Sequence, residues 1–173
     1  MPRSDRRDVR EQRHLLPLIA GELHLTLATG SSARRKISLR DALVHNHISF
    51  GYEHARATRT AREAFDERRG VCRDYAHLAI ALCRCMNIPA RYCTGYLGDM
   101  GAPPPYGPGD FAAWFEAYLG GRWYLFDPRN NVPRIGRVLM ARGRDAIDVA
   151  ISTTFGPNTL VSFRVWTDEV TLA

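Results

Sequence analysis

Leu23, Leu25 and Leu27 alternate with His24 and Thr26, a period-two pattern that predicts a short strand ending at Gly30-Ser31-Ser32. Ser38, with Asp41 three residues on, forms a capping box for a helix through His45, and a second helix runs from Thr60 to Arg69, stopped by Gly70. The most apolar helix spans about Cys72 to Met86 and ends before Asn87-Ile88-Pro89, after which Ala90 to Leu97 has strand character. Residues 98 to 110 (GDMGAPPPYGPGD) are too rich in Gly and Pro for regular structure and read as a loop. Phe111 to Leu119, Gly120-Gly121 and Arg122 to Asp127 give a hairpin signal. A short helix near Asp145 to Ile151 and a strand from Leu160 to Trp166 complete the reading. Helices first and an antiparallel sheet second argue an α+β fold: a polar arm at 1–13, then one domain over 14–173.

Composition adds little. Hydrophobic residues at 45% and charged residues at 24% are ordinary for a soluble globular protein. The net charge of +6 comes from arginines scattered among Asp and Glu, with Lys36 the one lysine, so neither nucleic acid nor membrane is expected as a partner. Met1 to Arg13 lacks the apolar stretch of a signal peptide, and a cytoplasmic location is the expectation. The four cysteines, Cys72, Cys83, Cys85 and Cys93, form no C-x-x-C pair; no metal or other cofactor is expected, and Cys83, Cys85 and Cys93 read as buried free thiols.

Cys72 is different, because Gly70-Val71-Cys72-Arg73-Asp74 puts it in the first turn of its helix. Unpaired N–H groups and the positive end of the helix dipole favour a thiolate there. At ~100° per residue Cys83 falls about 20° from the Cys72 face but three turns deeper, and Cys85 lies nearly opposite. The sheet supplies a second constraint. If Gly120-Gly121 is a two-residue turn, Leu119 faces Arg122, Trp114 faces Asp127 and Ala112 faces Arg129. Residues 112, 114, 127 and 129 then share one face, and a long side chain at 112 would reach Asp127 diagonally. Phe111, Ala113, Phe115, Ala117 and Leu119 form the opposite, core face.

The strings RRGVCRDYAHLAIALCRCMNIPARYCTGYLGD, DFAAWFEAYLGGRWYLFDPRNN and PRIGRVLMARGRDAIDVAISTTFG resemble the core of the bacterial transglutaminase-like superfamily of cysteine peptidases, over about residues 40 to 167. That resemblance implies a papain-like site in which Cys72 is the nucleophile and Asp127 orients a histidine base. The family's D-F-H-A-W-F-E is here Asp110-Phe111-Ala112-Ala113-Trp114, so Ala112 stands at the base position. Its D-A-R-H-N is here Asp127-Pro128-Arg129-Asn130-Asn131, and no histidine follows His77. Three explanations compete: an engineered His-to-Ala change in an active enzyme, a natural loss of hydrolysis that leaves a binding or scaffold protein, or chemistry by Cys72 with another base or none. His77 points about 140° away from Cys72, and His45 and His47 belong to a segment that runs near the cysteine helix in the family. Trp114, Glu116 and Tyr118 share the site face and are candidates to line a groove; sheet packing is the plainer role. The expected substrate is a peptide, an amide or an acyl thioester, acted on by hydrolysis or transfer, while the sequence leaves oligomeric state open.

Overall fold

A computed structural model describes residues 43–101 and 111–166. The predicted strand at 23–27, most of the helix from Ser38, the polar arm and most of the Pro-Gly loop lie outside them. The chain enters as a helix at residues 43–47 (α1), then Ser49–Phe50 (β1) pairs in parallel with Arg69–Gly70 (β2). Between them sits Ala61–Glu67 (α2), capped by Thr60, whose hydroxyl accepts from Glu63 N while Glu63 Oε2 accepts from Thr60 N. This helix stops at Arg68, which adopts a left-handed φ of 54°, and not at Gly70, which continues into β2.

Cys72–Cys85 (α3) packs on a four-stranded antiparallel sheet of order β5-β4-β3-β6. Its strands are Ala90–Leu97 (β3), Phe111–Leu119 (β4), Arg122–Phe126 (β5) and Arg137–Gly143 (β6). The core lies between α3 and one sheet face: Tyr75, Ala76, Leu78, Ala79, Leu82 and Cys83 meet Tyr92, Ala113, Phe115, Ala117, Leu119 and Phe126. Small Ala113 and Ala117 alternating with Phe115 let the helix lie close to the strand. The hairpin register is the expected one, with Leu119 opposite Arg122 and Phe115 opposite Phe126. Phe111 is only half-buried and stacks on Tyr96 and Phe163. The α+β class holds.

Two tail assignments need correction. Residues 160–166 do not form the expected strand; Val165 makes a lone bridge and Leu160, Val161 and Trp166 are exposed. The edge of β3 is taken instead by Arg137–Gly143, which pairs Leu97 with Arg137 and Tyr92 with Gly143. The tail helix shrinks to a 3-10 turn, Ala146–Val149, capped by Asp145. Among the described residues no helix is long and apolar enough to cross a membrane.

Candidate active site

The start of α3 is held by Asp74. Its Oδ2 folds back to accept from Val71 N at 2.9 Å and from Arg59 Nη1 at 3.0 Å, and its Oδ1 accepts from Arg73 Nη2 at 2.9 Å. A valine N-cap offers no side-chain acceptor, so this carboxylate ties the first turn to the preceding strand. Gly70 makes room: a Cβ there would lie 2.6 Å from Asp74 Oδ2. The G-V-C-x-D spacing therefore has a physical reason: it presents Cys72 at a braced helix start.

The Cys72 thiol is partly buried and not sealed in the core; it donates to Phe111 O at 3.8 Å. β5 pairs with β4 only over Phe115–Leu119, so the first residues of β4 are bonded to β3 alone and the helix start comes up against them. The residue after Phe111 is Ala112, the candidate base position. A methyl group stands there, and it can accept no proton.

Asp127 is buried at the end of β5. Oδ1 accepts from Asn130 N at 3.0 Å and Oδ2 from Asn130 Nδ2 at 2.7 Å. Oδ2 also pairs with Arg137 Nη2, reaching in from β6, and the Arg137 guanidinium lies 5.0 Å from the Trp114 ring centroid. The charge partner of Asp127 is Arg137, while the Arg129 guanidinium lies over the Phe50 ring at 4.3 Å. Arg137 was missed because β6 was not recognised as a strand.

Among the described residues, His45, His47 and His77 are engaged elsewhere. His45 Nδ1 donates to Pro128 O at 3.1 Å and Arg129 O at 3.0 Å, which pins α1 to the turn after Asp127. His47 bonds Phe65 O at 2.7 Å and stacks on the Phe65 ring. His77 meets Tyr92 edge-on and pairs with Asp145. Burial opposes the Asp145 charge, but His77 outweighs it and holds that carboxyl down at about 2. Burial, with smaller contributions that include Cys72, pushes the Tyr92 phenol far up.

The other thiols are poorly placed to react. Cys83 is buried in the core, burial raises Cys85, and burial together with Glu116 pushes Cys93 up to about 12. Of the candidate groove residues, Trp114 is 1% exposed, while Glu116 is buried and held by Arg91 and Arg142. Burial raises the Glu116 carboxyl and the two arginines outweigh it, leaving it below the usual range. Tyr118 is exposed and lies against Trp123. Among the described residues no three His, Cys, Asp or Glu side chains gather as a metal site.

Comparisons with known proteins bear on the fold and the family. A crystal structure from Cytophaga hutchinsonii, described as a candidate cysteine protease, superposes with a TM-score of 0.71 at 34% identity, covering 91% of this chain and 55% of that one. An uncharacterized protein of Mycobacterium leprae is 38% identical over 91 residues, 51% of this chain and 32% of the relative. One from Mycobacterium tuberculosis is 34% identical over 124 residues, 64% of this chain and 39% of the relative. The chain thus spans well under half the length of these curated relatives. Residues 26–128, more than half of the chain, match the family model of the transglutaminase-like superfamily, ending one residue after Asp127. By that match and by its fold, this chain belongs to the transglutaminase-like superfamily.

Proposed function

We propose that this chain carries out cysteine-dependent acyl chemistry through Cys72, working on activated acyl groups and only weakly on amides. The observation that carries the reading is the Cys72 thiol at the braced start of α3, 3.8 Å from the carbonyl that precedes Ala112. The thiolate attacks the acyl carbonyl carbon, a C–S bond forms, and the bond to the leaving group breaks. Water or an amine then attacks the enzyme thioester, releasing acid or amide and returning the thiol. A thiolate leaving group departs unprotonated, whereas an amine must receive a proton that Ala112 cannot give. General acid–base assistance is worth about 10²–10⁴-fold, so amide cleavage loses most.

One observation favours a second reading, a non-catalytic binding protein on the same fold. Asp127, which would orient a base, is instead engaged by Asn130 and Arg137. The two readings separate in one assay: turnover of a thioester and of the matching anilide by the chain and by Cys72→Ser. The acyl-chemistry reading expects thioester hydrolysis that vanishes in Cys72→Ser, with little anilide turnover. No thioester turnover supports binding instead, and turnover indifferent to Cys72 overturns the acyl-chemistry reading.

A further inference from the structure

Arg137 is charged, its side chain is only 10% exposed, and two of its three nitrogens have no partner: Nε and Nη1 are buried and make no hydrogen bond. Those nitrogens carry three of the five guanidinium N–H donors. Buried donors are rarely left unpaired, because each forfeits the water it gave up. Among the described residues Arg59 and Arg134 leave one nitrogen each in this state, and Arg137 is the one that leaves two.

The sheet register places those donors. Arg137 sits on edge strand β6 opposite Leu97, yet its Nη2 reaches Asp127 beyond β4. By the strand register Gly95, Ala112, Trp114 and Arg137 lie on one face of the sheet, with Gly95 opposite Ala112. A Cβ at Gly95 would lie 3.0 Å from Trp114 Cη2, so the indole covers that glycine and the guanidinium rests over the indole. The guanidinium is therefore clamped by a carboxylate and an aromatic face beside Ala112. The preceding carbonyl, Phe111 O, receives the Cys72 thiol.

We propose that Arg137 is an anion-recognition residue of this site, one of its unpaired donors, at Nε or Nη1, receiving a carboxylate carried by the acyl ligand close to the carbon that Cys72 attacks. The inference rests on the acyl-chemistry reading for the identity of the ligand and adds its class, a carboxylate-bearing acyl group. Guanidinium-to-carboxylate bonds are the strong, charge-assisted kind. Asp127 opposes a second negative charge, and its two bonds from Asn130 soften that opposition.

The test needs no turnover. Iodoacetate and iodoacetamide alkylate a thiol by the same displacement and differ in carrying a carboxylate or a neutral amide. At neutral pH the Cys72 rate with iodoacetate is expected to saturate with reagent and to exceed the iodoacetamide rate by about tenfold, the size of one charge-assisted contact. Arg137→Gln is expected to abolish that preference and leave the iodoacetamide rate within about twofold. Arg137→Lys, which can keep the pair with Asp127 but gathers its donors on that one nitrogen, away from the places of Nε and Nη1, is expected to lose the preference too, so the test survives if Arg137→Gln fails to fold. Arg122→Gln, at the far end of the hairpin, lowers net charge equally and should change nothing. Labelling by both reagents at a ratio indifferent to Arg137 overturns this inference alone. Labelling of Cys72 by neither overturns the acyl-chemistry reading, and this inference with it.

Discussion

Asp74→Ala is the substitution whose cost the structure defines best. The Asp74 side chain is 0% exposed and its partner Arg59 is 4% exposed, joined at 3.0 Å. Truncation removes three acceptor contacts at once, from Val71 N, Arg59 Nη1 and Arg73 Nη2. Arg73 can turn to other acceptors, since it already bonds three backbone carbonyls, those of Ala57, Arg56 and Arg59. Arg59 cannot move to water, although Glu67 Oε2 remains 3.1 Å from its Nη2. Breaking a buried pair from one side costs about 3–5 kcal/mol, and the surviving Glu67 contact places this case at about 3–4 kcal/mol. For a chain of this size that lowers the melting temperature by roughly 6–16 °C. Urea denaturation followed by circular dichroism measures the change at equilibrium. Asp74→Asn, which keeps one carbonyl acceptor but no charge, should fall between the two. Because Asp74 braces the turn that presents Cys72, thiol alkylation in the folded variant should also slow. A loss below about 1 kcal/mol in Asp74→Ala would refute the reasoning, since a pair worth so little is of the solvent-exposed kind.

Ala112→His returns an imidazole to the position beside Cys72, and anilide cleavage should rise by about 10²–10⁴-fold; a variant that folds and gains nothing would count against a disabled triad. Asp145 is held at about 2 by His77, below its unfolded value. Its contribution to stability is therefore complete above about pH 4 and disappears as pH falls toward 2. Asp145→Asn should flatten the melting-temperature profile across that window, and an unchanged acid limb would contradict the pairing. Gly95→Ala would put a methyl 2.0 Å from Val138 O, forcing β6 away from β3, and should cost about 1–3 kcal/mol in urea while erasing any iodoacetate preference. An unaltered midpoint would show that the strands can yield there.

Where pattern and burial agreed, the sequence was readable. β3 and the β4–β5 hairpin fall where alternation and Gly120-Gly121 put them, and the Cys72 helix starts where its glycine and aspartate say it must. β6 was not readable because its pattern is inverted. Val138 and Met140 face solvent at 50% and 61% exposure while Arg137 turns inward, and a register shift at Thr94/Gly95 interrupts the pairing. Inward charge and outward hydrocarbon oppose the rule that finds strands. Such violations gather at functional sites. Of the candidate site, the helix start singles out Cys72, the family resemblance assigns Ala112 and Asp127, and the hairpin register puts those two on one sheet face, whereas Arg137 depends on a strand that periodicity conceals. The termination of α2 was misplaced for a smaller reason, since an arginine took the left-handed position that glycine usually fills.

The most direct trial of the account is the rate of iodoacetamide alkylation at each of the four cysteines, mapped by mass spectrometry and followed against pH. Cys72 should react first and alone at neutral pH, with a midpoint below the value of about 8.5 for a free thiol. Reaction at Cys85 ahead of Cys72, or a Cys72 midpoint at or above that value, would contradict a nucleophile made by the start of its helix.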